Sequence, residues 1–428
     1  MTKLSKKWIP LAALAVVAAL ANESDVKNVI TGTAAFTTYK TEAPGTYRKI
    51  TVSDLPEPTE GVANPSHLVP MPSGAWPKAP AGFKVQRYAE MTDAPRELRL
   101  APNGDLFVSD SDKGKVEVFR GISKQGKPKQ HEVFVTGLKQ NFGIAFYPLG
   151  KNPEWIYLAN TDSVIRYRYH NGDFKATGEP ETLITGIPTG GHITRDLAFS
   201  PDGSKLFVSV GSGSNVDDPD THPNEKNRAD ILEYTPEGKF IKVYAGGIRN
   251  PVGIAINPTT GQLWCSVNER DMLGDNLVPD YITSVKEDGF YGWPWYYMGD
   301  HQDPRLPGAH PELKGNVTVP DVLLQPHNAS LQLTFYEGKQ FPKAMHGDIF
   351  AAEHGSWNHS VRTGYEVIRV PLEHGKSDGV YGDFLTGFVT ADGEVWGRPV
   401  GVAVAPDGSL MVSDDGSKSI WRVSYVGK

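Results

Sequence analysis

Cysteine is nearly absent: Cys265 is the only one among 428 residues. No disulfide forms within the chain, so stability has to come from core packing. A Cys-x-x-Cys-His haem attachment site is excluded as well. Long hydrophobic runs are missing except for Trp8 to Ala21, which at 14 residues falls short of the roughly 20 needed to span a bilayer. There is no basic surplus either. The 43 Lys and Arg against 50 Asp and Glu give a formal charge of -7, which argues against a non-specific nucleic-acid partner. No stretch carries the pattern of a long amphipathic helix, which disfavours βαβ architectures.

The apolar run has its own reading. Lys3, Lys6 and Lys7 precede it, and it ends in Ala19-Leu20-Ala21. A basic start, a short apolar core and small residues before the cut form a signal-peptide pattern, so residues 1–21 are expected to be removed, with no stable membrane insertion afterwards. Export without disulfides points to a periplasm. Residues 22–80 are rich in Pro and Thr and read as an N-terminal extension lying along the main domain, supplying an edge strand. Residues 81–428 form that domain.

What the chain has in quantity is glycine and proline, 45 and 33 residues, falling between short apolar runs as turns do in an all-β protein. One unit recurs six times: an apolar run, a turn, then a second apolar run ending in polar residues. The copies are Leu98–Asp110, Ile144–Asn160, Leu197–Gly211, Ile254–Glu269, Leu331–Glu353 and Val402–Asp414. Further strands are predicted at Lys115–Arg120, Val164–Tyr169, Ala229–Thr235, Tyr365–Val370 and Ser419–Ser424. Six related units, each too small to bury its own faces, predict a six-bladed β-propeller. The alternating residues 83–88 are expected to close the ring against the last repeat.

In a propeller, the segments entering and leaving each inner hairpin share one end. Those segments hold Asn141, Gly190-Gly191-His192-Ile193-Thr194-Arg195, Arg249-Asn250-Pro251, His327 to Ser330 and Arg398 on the entering side. On the leaving side stand Asp110, Asn160, Asn268 to Asp275, and Glu353 to Asn358. Residues from all six copies would therefore line one mouth of the channel. His192 is the natural general base there, Arg249 and Arg398 suit carboxylate or phosphate groups, and the run Asn268 to Asp275 offers the oxygen ligands calcium prefers.

Gly191-His192-Ile193-Thr194-Arg195, Arg249-Asn250-Pro251, Asn268-Glu269-Arg270-Asp271 with Leu273-Gly274-Asp275, Tyr291-Gly292-Trp293-Pro294 and Glu353-His354-Gly355-Ser356-Trp357-Asn358 come in order, each at a repeat boundary. Over roughly residues 80–425 the chain resembles the quinoprotein glucose/sorbosone dehydrogenase family, most closely its sorbosone-dehydrogenase-like branch. The resemblance implies pyrroloquinoline quinone (PQQ) and Ca²⁺ over the channel. It implies oxidation of a sugar or similar polyol-aldehyde, with electrons passed to an external acceptor.

Carried over, the resemblance makes His192 the base that takes the hydroxyl proton and puts Arg249 beside the quinone. Asn250, Glu269, Arg195, His354, Trp357 and Arg398 are implied cofactor contacts. Arg270 and Asp271 are implied as calcium ligands through their carbonyls, with Asp275 or Asp280 serving a further ion. The glucose-oxidising relatives place a lysine in the fifth repeat where this chain reads Glu353 to Asn358, leaving His354 or Arg362 for that contact. Two rival readings on the same fold are a calcium-dependent sugar lactonase, drafting Asn141, Asn160 and Glu269, and a non-catalytic binding propeller.

Overall fold

The computed structural model describes residues 26–91 and 93–427; the signal-peptide expectation for residues 1–21 lies outside them. Six antiparallel sheets stand around one axis, each entered by its inner strand. Blade one is Leu98–Leu100, Leu106–Asp110, Lys115–Ile122 and Pro128–Thr136. Blades two and three run from Ile144–Tyr147 out to Thr177–Thr185 and from Leu197–Phe199 out to Phe240–Ala245. Blade four begins at Pro251–Ile256 and ends at Val322–Leu323. Blade five begins at Ser330–Phe335, blade six at Pro399–Val404. The six repeats are the six inner hairpins.

The second strands read as almost uninterrupted apolar runs, such as Leu206–Val210 and Ile349–Glu353, with every residue buried. A sheet covered on both faces wants β-branched and aromatic residues rather than alternation. The hairpin turns follow from Pro-Asn-Gly and Pro-Asp-Gly. Gly104, Gly203 and Gly408 take positive φ, and a neighbouring polar side chain closes each loop, as where Ser200 Oγ donates to Asp202 at 2.6 Å.

The core is divided by blade. Phe107 and Phe146 pack between blades one and two, Tyr157 and Phe199 between two and three, Trp264 and Phe335 between four and five. Phe350, Phe384 and Trp421 do so between five and six, and Leu106 with Met411 between six and one. Each blade thus buries its faces only by having two neighbours.

The ring closes where expected: Phe83–Glu90 forms the outer strand of blade six, pairing with Ser419–Tyr425 in register Phe83↔Tyr425 to Glu90↔Ser419. The extension adds Tyr47–Lys49 antiparallel to Val380–Leu385 of blade five, with Ile30–Thr31 parallel beyond it. Arg48, 1% exposed, lies 2.9 Å from Asp383 and fixes that strand. Further on, Thr59 N–H donates to Leu273 O at 3.0 Å and Asn64 N–H to Trp357 O at 2.6 Å, lacing two loops of the channel mouth together. Among the described residues no helix is long and apolar enough to cross a membrane.

Candidate active site

The turn into blade three carries His192. Gly190 and Gly191 both hold positive φ, and a Cβ on Gly191 would collide with the backbone of Gly213. Glycine there lets the turn press against the loop leaving the same hairpin. His192 Nδ1 consequently lies 2.9 Å from the Ser212 carbonyl oxygen and 3.1 Å from its Oγ. A carbonyl only accepts, so Nδ1 carries the proton and Nε2 keeps its lone pair. Burial, then the guanidinium of Arg249 and more weakly that of Arg228, push the imidazole down to about 3. It stands as a neutral base across the working pH range.

Arg249 enters from blade four. Its fork donates to Glu269 O at 2.5 Å, Asn215 Oδ1 at 3.0 Å and Asp271 Oδ2 at 3.0 Å. Asn215 binds both partners, since its Oδ1 also accepts Asp271 N–H and its Nδ2 donates to Asp271 O. Asn250 Nδ2 donates to Asn268 Oδ1 at 3.1 Å, while its Oδ1 has no partner and is buried. Gly211 makes room for this corner: a Cβ there would strike both Asn250 Oδ1 and the His192 Cβ.

The predicted metal loop follows. Asp271, held below its ordinary range despite burial by His327 and Arg249, faces Arg249 and His327. Glu269 is pushed up to about 8 by burial, against the pull of Arg249, and Asp280 is pushed up to about 7 by burial. Asp280 accepts N–H bonds from Glu269 and Ala329. Asp275 turns outward to Ser360 and His359, and the Arg270 guanidinium lies 2.9 Å from Asp303. The side chains of Arg270, Asp271, Asp275 and Asp280 thus do not converge on one point. Among the described residues, the three-ligand side-chain grouping is Asp218, Asp220 and His310, which includes none of these four.

Across the mouth, Asp415 gathers two guanidinium groups and an imidazole: Arg96 at 2.7 Å, Arg398 at 2.8 Å and His354 at 2.9 Å. Burial opposes its ionisation, but His354, Arg96 and Arg398 hold it well below the usual carboxylate range. Only Arg398 Nε is used in this pair, so the ends of its fork remain for another group. His354 is taken up by Asp415 and lowered by burial. Arg362 donates to the carbonyls of Asn64 and Pro65 in the extension. Trp357 is 47% exposed. Asn141 and Asn160 serve their own turns, the first donating to Lys115 O and the second accepting Lys139 N–H.

Arg195 differs from the expectation. It is 0% exposed, and its guanidinium donates to the carbonyls of His192, Thr194 and Pro188. Its place is behind the His192 turn rather than at the mouth. Sequence reasoning did not single out Asn215, Arg228 or Asp415, and assigned no role to His327. Asn215 stands in the small polar run Gly211-Ser-Gly-Ser-Asn215, which gives no chemical signal. Asp415 was shadowed by Asp414, which caps its turn by accepting Arg398 and Ser417 N–H bonds.

The fold is that of a six-bladed propeller, with a neutral imidazole flanked by guanidinium groups and an acidic loop at one mouth. The chain belongs to the TrAA12-like family, whose model matches residues 77–286 and 312–426. It is 26% identical over 411 aligned positions to the pyrroloquinoline quinone-dependent pyranose dehydrogenase of Coprinopsis cinerea, covering 81% of this chain and 54% of that protein. The chain therefore matches about half the length of that relative. It is 28% identical to an uncharacterized protein of Borreliella burgdorferi, covering 81% of this chain and 90% of that one. In fold it is similar to the calcium structure of the Trichoderma reesei family AA12 enzyme, with TM-score 0.70, 20% identity, and 85% and 99% of the two chains covered.

Proposed function

We propose that this protein oxidises a sugar or a related aldose or ketoaldehyde with PQQ and Ca²⁺ bound at this mouth, passing electrons to an external acceptor. The observation that carries the reading is the His192 ring, whose Nδ1 is committed to Ser212 O, leaving Nε2 as an unprotonated base beside Arg249.

The donor set fits a flat, polyanionic group. Arg249 and the open fork of Arg398 supply fixed positive charge, without which burying several carboxylates is prohibitive. Burial raises Glu269 and Asp280 beside the loop, and a divalent cation there would favour their charged forms. Calcium would rest on the backbone carbonyls of Arg270 and Asp271, as the resemblance implies, with Asp275 or Asp280 left for a further ion.

When bound, the quinone would supply the two-electron acceptor and calcium the polarisation of its carbonyl. The chain's own part is to bind, orient and move one proton. His192 Nε2 takes the hydroxyl proton of the substrate. Arg249, fixed by Asn215 and Asp271, stabilises negative charge at the reacting end. Arg398 and His354, tied to Asp415, orient the far end. Trp357 stands exposed on the rim as a wall for the substrate, and the branch resembling sorbosone dehydrogenases makes sorbosone one substrate to test. Residues 1–21 support export to a periplasm.

The test is reconstitution. The mature protein, freed of cofactor, is given PQQ and Ca²⁺ and followed by dye reduction with aldoses, sorbosone and alcohols. Turnover that needs both additions and is lost in His192→Ala supports the reading. A folded protein that neither binds PQQ nor turns over with calcium present overturns it, and hydrolysis of sugar lactones by that sample would establish the lactonase instead.

A further inference from the structure

Behind the His192 turn lies a second arginine with an unusual set of partners. Arg228 is 4% exposed. Its Nε donates to Gly211 O at 3.0 Å, Nη1 to Thr189 O at 2.9 Å, and Nη2 to Gly190 O at 2.5 Å and Ser212 O at 3.0 Å. Nη2 also lies 3.3 Å from His192 O. Every one of these acceptors is a backbone carbonyl. They come from two segments: residues 189–192, entering blade three, and residues 211–212, leaving its inner hairpin.

The carboxylate nearest to it is Glu225, 4.0 Å from Nε. That group is turned to another task, accepting the Gly213 N–H at 2.7 Å. So the guanidinium is not held there for an ion pair. It bridges the carbonyls of the two segments, and its bonds to Gly211 O and Ser212 O are buried, where losing a donor costs about 1–3 kcal/mol. Only a planar fork with five divergent N–H groups matches such a set of acceptors; an ammonium has three donors on one point.

One bond matters more than the rest. Ser212 O accepts from Arg228 Nη2 at 3.0 Å and is also the atom 2.9 Å from His192 Nδ1. The carbonyl that sets the imidazole tautomer is therefore itself held by Arg228. The same guanidinium grips Gly190 and His192 on the other side of the ring.

We infer that Arg228 is the positioning residue of His192, fixing both the turn that carries the ring and the carbonyl that orients it. This rests on the reading of His192 as the base. Arg228 touches no reacting atom, and its effect passes entirely through His192. Arg195, which holds His192 O, Thr194 O and Pro188 O, secures the turn but not the Ser212 carbonyl.

The experiment compares R228K with the wild-type protein. In the cofactor-free full chain, ¹⁵N-histidine NMR, with the His192 signal assigned by H192Q, should show one Nδ1–H tautomer in the wild type. R228K should show that tautomer lost or mixed while the Tm stays within a few degrees. In the reconstituted enzyme, kcat should fall by about 10–100-fold with KM for the sugar within twofold. An R228K protein that keeps the wild-type ring signal overturns the inference. So does an unchanged kcat where turnover exists. Where the wild type itself shows no PQQ-dependent turnover, the functional reading fails, and the NMR comparison still decides the placement. Where R228K does not fold, R195K decides: retention of the Nδ1–H tautomer there upholds Arg228, and its loss assigns the role to Arg195.

Discussion

The Asn250 side-chain oxygen and the His192 Cβ meet over Gly211, at a spot where a Cβ would collide with both. The two motifs that read separately in the sequence, one per blade, are thus in contact through a residue with no side chain. Gly211→Ala should lower the Tm by a few degrees, because its Cβ overpacks a buried corner although the backbone conformation is ordinary. It should lower kcat by about 10–100-fold, the effect of sub-ångström to ångström misplacement of a catalytic group. Equal kcat in the variant, read by dye reduction, would show that the corner tolerates displacement.

His192 itself gives the plainest prediction. Replacing it with Ala should lower kcat by about 10²–10⁴-fold, the usual worth of a positioned general base, with PQQ affinity little changed. Because burial and then Arg249 depress the ring to about 3, its NMR signals in the cofactor-free protein should remain those of the neutral form from pH 8 down to about pH 5. A midpoint near the ordinary histidine value of about 6.5 would refute the environment described.

Asp415 predicts a double loss. It is the shared anchor of Arg96, Arg398 and His354. Asp415→Asn takes a buried carboxylate away from two partly exposed guanidinium groups, and should cost about 1–3 kcal/mol by denaturant titration. PQQ binding, followed by titration of the apoprotein, should weaken along with it, since Arg398 loses the partner that orients its fork.

Blade five carries a pH-dependent element. Glu42 of the extension, Glu366 and Asp383 are buried together with one cation, Arg48, and with Tyr381 and Glu353 nearby. Burial raises all three carboxyls above their ordinary values, and repulsion from Asp383 adds to it at Glu42 and Glu366. A group whose folded-state value is raised contributes its full stability below the unfolded value of roughly 4, and that contribution is lost as pH climbs through the folded value. Stability should therefore decline from pH 5 toward pH 9. Glu366→Gln should flatten the slope and raise the Tm at pH 8 by a few degrees, measured by thermal unfolding at both pH values.

Much of the fold was legible because the inner hairpins are simple: Leu98–Asp110 or Val402–Asp414 is an apolar run, a Gly turn and a second run. The outer half of blade four was not. Tyr281–Ser284 and Val322–Leu323 are separated from their neighbours by long loops, and a two-residue strand leaves no periodicity to read. The edge strand expected of the extension could not be placed at Tyr47–Lys49, since its central residue is a buried arginine whose partner is Asp383. At the site, the motifs pointed to His192, Arg249 and Arg398, which the fold brings to one mouth. They gave nothing on which arginine serves carbonyls and which faces the mouth, because Arg195 and Arg228 differ only in what the backbone around them does.

The pairing of Phe83–Glu90 with Ser419–Tyr425 has a consequence for how the chain acquires its shape. Tyr88 and Phe119 are buried in the same cluster as Ala403 and Met411, so the first blade stays uncovered on one side until almost the last residue is available. Contacts this far apart in sequence make folding slow, and a half-built ring exposes a strand edge that other chains can extend. Such a molecule gains from being kept unfolded until it is whole, and then closing in a single step.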